Sequence, residues 1–262
     1  MSFKIKTEPR RTTPDEAQLL SGMERLLVLV EQHSRWVLLA GTVLITVVAA
    51  VAAAVWYYNR QADEAMELTH QAMTLYLNRP ADKPALADEN LKKAVGQLRA
   101  VADQYPRTVA GQLALYHLGN ALVQINDLSG AIEAYKKYVA TYGANKNMLG
   151  LVYQRLGYAY LLNGDRSQAE KAFSAVLEVT GALNKDQALF ELGKLEEAQS
   201  RPEGALARYQ DLTKSYPASP FANEAAIRIK ALEVKKAPEG TQPAEPAAGA
   251  PAGSPPASAP TK

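Results

Sequence analysis

Two patterns of hydrophobic residues divide this chain, and the first is an uninterrupted apolar run. Residues 36–58 read WVLLAGTVLITVVAAVAAAVWYY and include no charged side chain. Because an α-helix rises about 1.5 Å per residue and satisfies its own backbone hydrogen bonds, a helix over this run would cross a hydrocarbon core of about 30 Å. Aromatic residues stand at both ends, as in interfacial belts; they are Trp36, Trp56, Tyr57 and Tyr58. The pattern predicts a transmembrane helix over residues 36–58.

The second pattern is a helical period. Over residues 61–236, apolar residues recur at steps of three and four, which predicts amphipathic helices joined by short loops, beginning with a helix over residues 62–78. The same steps occur over residues 15–34. There they indicate either an amphipathic helix on the inner leaflet or against a membrane partner, or a cytoplasmic extension of the membrane helix. The fold class is therefore all-α, with a leader over residues 1–35.

A repeat of 36 to 38 residues runs through the helical segment. Alanine recurs at these intervals, and a large apolar residue follows each alanine by four positions. The four pairs are Ala94 and Leu98, Ala131 and Tyr135, Ala169 and Phe173, and Ala205 and Tyr209. A Leu-Gly dipeptide begins thirteen residues before each of the last three alanines, at Leu118, Leu156 and Leu192. Such a period is typical of stacked helical hairpins, which bury their apolar faces only against one another.

The residue types at these positions suit helices that pack closely. Glycine lets two antiparallel helices approach, with the small alanine opposite, and we expect each aromatic ring to fill the gap between successive hairpins. Asn163-Gly164 is a helix stop, and Asp165 is the N-cap of the helix that follows. A last helix over residues 220–235, with Ser219 as its N-cap, would close the array.

The order Leu-Gly, Ala, aromatic residue and Pro at this spacing resembles the tetratricopeptide repeat over residues 62–235. The resemblance implies a helical solenoid in which the first helix of each repeat lines a concave groove that holds a peptide or a partner's helix. Carried over by position, the groove residues are Tyr116, Asn120 and Gln124 from the first clear repeat, Gln154, Tyr158 and Leu161 from the second, and Phe190, Lys194 and Glu197 from the third. The alternative for any one of them is internal packing between helices.

Rings and amides in such a groove suit an extended peptide, because rings cover apolar side chains and amides pair with peptide N–H and C=O groups. No cluster of Lys or Arg stands among these positions, so the sequence does not predict a clamp for a C-terminal carboxylate. The expected partner is therefore a segment of another protein.

Composition changes abruptly at residue 237. Seven of the fifteen prolines lie between Pro238 and Pro260, among Ala, Gly and Ser. This composition predicts a disordered, Pro/Ala-rich tail over residues 237–262. Two roles are open for it: a solubilising tail without a partner, or a tail that crosses the cell-wall layer or docks a partner.

Charge and cysteine content narrow the class of protein. The formal net charge is +2, which gives no electrostatic reason to expect a nucleic-acid partner. The chain contains no cysteine, which excludes disulfides, thiolate metal sites, a cysteine nucleophile and a lipid-bearing cysteine.

Six Lys or Arg residues precede the membrane segment, but only Arg60 lies in the twenty residues after it. The positive-inside rule therefore predicts that the N-terminus is cytoplasmic and that the repeat domain over residues 61–236 lies outside the cytoplasm.

The sequence gives little support for a catalytic site. His33, His70 and His117 are far apart and have no metal-ligand spacing. Glu196 and Glu197 point to different faces of a predicted helix, and we expect both to be solvated. No glycine-rich phosphate loop or nucleophile elbow occurs in the sequence. The sequence predicts a protein that is not an enzyme and that binds no cofactor, metal ion or small-molecule substrate.

The layout of leader, single membrane helix and outer repeat domain resembles the YfgM-like ancillary subunit family of the bacterial Sec translocon. The resemblance implies a single-pass inner-membrane protein with a periplasmic domain, a scaffold or chaperone-like adaptor whose partners are translocon subunits, periplasmic chaperones or unfolded secreted chains. An alternative is an envelope-assembly scaffold, because the Tyr-Pro segments 105–110 and 216–222 resemble repeat proteins of outer-membrane assembly and cell-wall coordination. An enzyme would be indicated only if Glu196 and His117 met at an aromatic pocket.

Overall fold

The computed structural model describes residues 33–236, and this part of the chain is helical, as predicted. Its helices are α1 Ser34–Leu77, α2 Pro84–Gln104, α3 Val109–Gln124, α4 Leu128–Tyr142, α5 Lys146–Leu162, α6 Arg166–Glu178, α7 Lys185–Ala198, α8 Pro202–Ser215 and α9 Ala222–Lys236. Residues 15–32 of the predicted amphipathic helix and the predicted tail over residues 237–262 lie outside the described residues. The described residues divide into two units, with the boundary between Glu67 and Leu68.

In the first unit the apolar run is part of α1. Every residue from 34 to 60 is exposed except Gly41, which is half-buried. The Thr42 hydroxyl donates a 2.8 Å hydrogen bond to the carbonyl of Leu38, and the Thr46 hydroxyl donates one of 2.8 Å to the carbonyl of Thr42. Both threonine hydroxyls of the run are thus satisfied inside the helix. By length and composition, α1 is able to cross a membrane.

Helix α1 continues beyond the apolar run. The sequence predicts a separate helix over residues 62–78, whereas α1 runs without a break from Ser34 to Leu77. The reason is local, because no Gly or Pro lies between Trp56 and Leu77 and strong helix formers predominate there.

In the second unit the helices from α2 to α9 pack in chain order, each against the next. The three clear repeats are the hairpins α3–α4, α5–α6 and α7–α8. Helix α9 covers the last hairpin, since Ala222 and Ala225 are buried in one cluster with Tyr209 and Leu212 of α8. It therefore caps the array as expected, although it begins at Ala222 rather than at residue 220.

Each Leu-Gly dipeptide places its glycine under an aromatic ring of the same hairpin. A Cβ atom added at Gly119, Gly157 or Gly193 would lie 2.4, 2.8 or 2.4 Å from the nearest ring atom. The rings concerned are those of Tyr135, Phe173 and Tyr209, which are fully buried. The group that packs against each glycine is thus the aromatic ring, and not the alanine that we expected opposite it.

The aromatic rings also fill the gap between hairpins, as predicted. Phe173 of α6 shares a buried cluster with Leu192 and Leu195 of α7, and Leu177 packs against that cluster. Phe173 therefore packs on Gly157 of its own hairpin and on Leu192 and Leu195 of the next hairpin.

The three hairpin turns have the same backbone conformation. Asn126, Gly164 and Ser200 adopt positive φ angles of 61°, 83° and 57°. The next residue of each turn donates its backbone N–H to a carbonyl five positions earlier, as Asp165 does to Tyr160 at 2.9 Å, which is the Schellman pattern. The predicted N-cap is confirmed, because the Asp165 carboxylate accepts a 3.0 Å hydrogen bond from the backbone N–H of Gln168.

Successive hairpins are joined by a polar contact that recurs with the repeat. A residue shortly before α5, α7 or α9 bonds back to the start of α3, α5 or α7, over separations of 33, 34 and 33 residues. The three contacts are Asn145 to Gln112 at 3.5 Å, Asn184 to the Gly150 carbonyl at 3.0 Å, and Ser219 to Asp186 at 2.7 Å. These bonds set the register of one hairpin on the next.

We predict that Gly157→Leu destabilises the array by about 1–3 kcal/mol or more, because the new side chain would overlap the Phe173 ring. Gly96→Leu is the matched control, since a Cβ at this exposed site on α2 meets nothing within 4 Å. Helix propensity alone should make the control neutral or up to about 1 kcal/mol more stable. Thermal unfolding of the solubilised chain, followed by circular dichroism, compares the two. Equal melting temperatures would contradict the close packing at Gly157.

Candidate partner-binding groove

The nine predicted groove residues lie on the first helices α3, α5 and α7, but they differ in accessibility. Three are buried, namely Tyr116, Gln154 and Phe190. Four are half-buried, namely Asn120, Tyr158, Leu161 and Glu197, and two are exposed, Gln124 and Lys194. The internal-packing alternative therefore applies to the first three.

The accessible residues on α3 and α5 meet at one cavity of about 260 Å³. It brings together three predicted residues, Asn120, Gln124 and Tyr158. The cavity wall also includes residues that the sequence analysis did not select: Tyr76, Val123, Tyr135, Arg155, Ala159 and Leu162. Leu162, rather than its predicted neighbour Leu161, lines the cavity, and 61% of it is exposed.

Hydrogen bonds hold the polar side chains of this cavity in place. The Tyr135 hydroxyl donates to Asn120 Oδ1 at 2.7 Å. The Gln124 side-chain N–H donates to the Tyr76 hydroxyl at 2.5 Å, and the Gln124 amide oxygen accepts a hydrogen bond from the Arg79 guanidinium. Burial raises the pKa of the Tyr135 hydroxyl well above its usual range. The cavity therefore presents neutral, oriented hydroxyl and amide groups at physiological pH.

A second polar network joins α5 to α7. The Tyr158 hydroxyl donates to Glu191 Oε1 at 3.1 Å and accepts from Gln187 Nε2 at 2.8 Å. Lys194 Nζ lies 3.0 Å from Glu191 Oε2 and neutralises this carboxylate. The buried amide of Gln154 accepts a 2.8 Å bond from Asn184. These contacts hold the second and third hairpins together along the predicted groove face.

At the α7 end the predicted residues serve packing. Phe190 stacks on Phe221 with ring centroids 5.2 Å apart, and the Arg228 guanidinium lies 5.7 Å from the Phe190 centroid. Glu197 accepts bonds from the Tyr209 hydroxyl at 2.5 Å and from Arg228 at 3.0 Å. The face is thus closed by rings and ion pairs here, and the open cavity lies between α3 and α5.

The residues that would have indicated catalysis do not meet. The ring of His117 lies beside Tyr116 and Tyr76, with centroids 5.2 and 6.4 Å away, and burial lowers its pKa. Glu196 is buried and forms a 2.6 Å ion pair with Arg201, so the expectation of a solvated carboxylate is wrong. Within residues 33–236 no three His, Asp or Glu residues are grouped so as to hold a metal ion.

Sequence reasoning missed Arg155 and Tyr76 of the cavity wall, and also Arg79, which donates to Gln124. A signal existed for Arg155, because it lies three residues before Tyr158 and therefore near it on the same helix. Arg79 and Tyr76 offered no such signal, since only tertiary packing brings the end of α1 and its following loop to α3.

Fold and groove together define a helical-repeat protein of the tetratricopeptide type. The profile of the family described as "YfiO: Outer membrane lipoprotein" matches residues 70–239. The chain belongs to this family. The narrower resemblance to the YfgM-like translocon subunits stays a prediction.

Solved structures support the fold. A tetratricopeptide repeat protein from Parabacteroides merdae is similar with a TM-score of 0.50 and 15% identity, over 67% of this chain and 61% of that one. The apo form of RapI gives a TM-score of 0.50 and 15% identity, over 69% of this chain and 50% of RapI. The chain thus spans about three fifths of the first structure and half of the second. No curated protein matches.

We predict that Tyr158→Phe makes the unfolding free energy less dependent on pH in alkaline solution. Burial, together with the nearby Glu191 charge, raises the pKa of Tyr158 from 10.0 to about 12. The folded chain therefore holds this proton while the unfolded chain loses it, so the stability contribution is complete below pH 10 and is lost towards pH 12. Urea unfolding at a series of alkaline pH values measures the slope. A slope identical in the two proteins would contradict the burial of this hydroxyl.

Proposed function

We propose that this protein is a membrane-anchored, non-catalytic scaffold of the bacterial envelope that binds a segment of another protein in the groove between α3 and α5. The observation that carries the proposal is the open cavity of about 260 Å³ that Asn120, Gln124 and Tyr158 line within a tetratricopeptide array. Predicted groove residues that are closed by packing, such as Phe190, support the array and do not contact the partner.

The chemistry of the cavity suits an extended peptide. Hydroxyls and amides fixed by their own hydrogen bonds can still accept or donate one more bond to a peptide backbone. Val123 on α3 and Leu162 on α5 supply apolar walls that would cover apolar side chains of the partner. Such a mixture of apolar walls and a few oriented polar groups is typical of binding clefts.

Helix α1 supports the proposed anchor. Its exposed apolar surface over residues 36–58 and its internally bonded threonines fit a lipid environment. The excess of Lys and Arg before the span supports a cytoplasmic N-terminus and periplasmic repeats. Since the sequence has no cysteine, this helix takes the place of the lipid that the family's description names.

Two classes of partner fit the scaffold. Membership of a family described as outer membrane lipoproteins favours envelope assembly, with a partner from the outer membrane or the cell wall. The layout of leader, span and outer repeats favours the second candidate, a position beside the Sec translocon with translocon subunits, chaperones or secreted chains as partners.

We predict that a photo-crosslinking residue, p-benzoylphenylalanine, forms discrete adducts in cells when it replaces Leu162 at the cavity. The matched control replaces Lys136, an exposed residue of the second helix α4. Mass spectrometry identifies the adducts. Outer-membrane or cell-wall proteins would support the first partner class, and translocon subunits or secreted chains the second. Equal labelling from both positions, or none from position 162, would contradict the groove.

We predict that alkaline phosphatase, which is active only after export, is active when fused after Lys262. A fusion after residue 33, ahead of the span, is the matched control and should be inactive. The flanking charges give this expectation, because the basic leader is retained in the cytoplasm. Activity from the control but not from the full-length fusion would overturn the topology.

A further inference from the structure

The charges on the groove face are distributed unequally. Towards α7 and α9 the two carboxylates that accept bonds from Tyr158 and Tyr209 have cationic partners: Glu191 pairs with Lys194 at 3.0 Å, and Glu197 pairs with Arg228 at 3.0 Å. The same guanidinium also lies 2.8 Å from Glu224. A charged ligand would gain little at this end, because the fixed charges already neutralise one another.

The cavity between α3 and α5 differs, because its charge is not neutralised. Arg155 lines the cavity and is exposed, and no carboxylate of residues 33–236 lies within ion-pair distance of it. Arg79 is also exposed and donates to the neutral amide of Gln124 on the opposite wall. No Asp or Glu occurs among the residues that line the cavity. Two guanidinium groups therefore act on this site without an internal counter-charge.

We infer that the cavity binds an acidic side chain, Asp or Glu, of an extended partner segment, with Arg155 as its main ligand and Arg79 as a second cation. This inference rests on the proposed function and specifies the chemistry of the partner. A guanidinium forms strong, oriented hydrogen bonds with a carboxylate, and the hydroxyl of Tyr76 and the amide of Asn120 can complete the contacts of that carboxylate.

The position of the apolar walls favours a side chain within the segment over a chain end. Val123 lies on α3 and Leu162 lies on α5, so apolar contacts are available on two walls of the cavity that Arg155 also lines. A segment that crosses the cavity with apolar residues before and after the acidic one uses both walls. A C-terminal carboxylate would leave one of them uncovered.

The test uses the full chain in lipid nanodiscs and random peptides displayed on phage as internal segments, which present no free C-terminal carboxylate. Selected sequences are then synthesised as C-terminally amidated, fluorescent peptides, each with its Glu→Gln or Asp→Asn counterpart. Fluorescence anisotropy compares the original chain with Arg155→Gln and Arg79→Gln. Arg107→Gln is the matched control, since Arg107 is exposed and does not line the cavity.

We expect the selected peptides to share an acidic residue flanked by apolar ones. Neutralising that residue, or Arg155, should weaken binding roughly tenfold, as for a charge-assisted hydrogen bond. Arg79→Gln should have a smaller effect, Arg155→Lys should restore part of the affinity, and Arg107→Gln should change nothing. Because Arg155 is exposed, circular dichroism should show that its variants fold normally.

Three results would overturn the inference, and they separate it from the proposed function. Peptides that bind but share no acidic residue, or that bind Arg155→Gln equally well, would overturn the acidic subsite while the peptide groove stands. A gain of affinity only when the peptide carries a free C-terminal carboxylate would overturn the choice of a side chain. Failure to enrich any peptide, together with no crosslink from position 162, would overturn the groove itself.

Discussion

The packing of an aromatic ring onto glycine is the contact on which the rest of the repeat array depends. At Gly119, Gly157 and Gly193 even one added carbon would lie within 3 Å of the ring opposite. The contact therefore fixes how closely the two helices of a hairpin approach. Because the same ring in the middle repeat, Phe173, also touches leucines of the next hairpin, this spacing is passed along the chain. The first helices consequently share one face, and the proposed groove depends on that arrangement.

The proposed groove is not uniform along the array. The cause is the residue that follows each glycine, which differs from one repeat to the next. At the residue after the glycine, the first repeat has Asn120, the second Tyr158 and the third Lys194. Asn120 is short and leaves the cavity open beside Tyr135. Tyr158 reaches across to Glu191, and Lys194 neutralises that carboxylate and lies over Phe190. The face thus changes from an open, cationic cavity to a closed, ion-paired surface within three repeats.

The sequence correctly predicted the structural features that recur with the repeat or depend only on residues close together in the chain. The hairpins, the turn at Gly164, the N-cap Asp165 and the close glycines follow from spacing and from residue type, and the structure confirms them. Prediction was weaker wherever several elements combine. Phe190 looked like a groove residue by position, but Phe221 from the next repeat covers it. Glu196 looked solvated, but the turn that follows α7 brings Arg201 to it.

The proposed anchor has a physical consequence for how the groove meets its partner. Insertion of a transmembrane helix into a bilayer is effectively irreversible. On the proposed topology the groove would stay at one membrane, and the partner would have to come to it. A binding site that is confined to one membrane benefits from electrostatic attraction of its ligand, and an unneutralised guanidinium such as that of Arg155 provides it for acidic segments. The anchor and the charge of the cavity thus point to the same kind of scaffold, one that recruits partners to a fixed site.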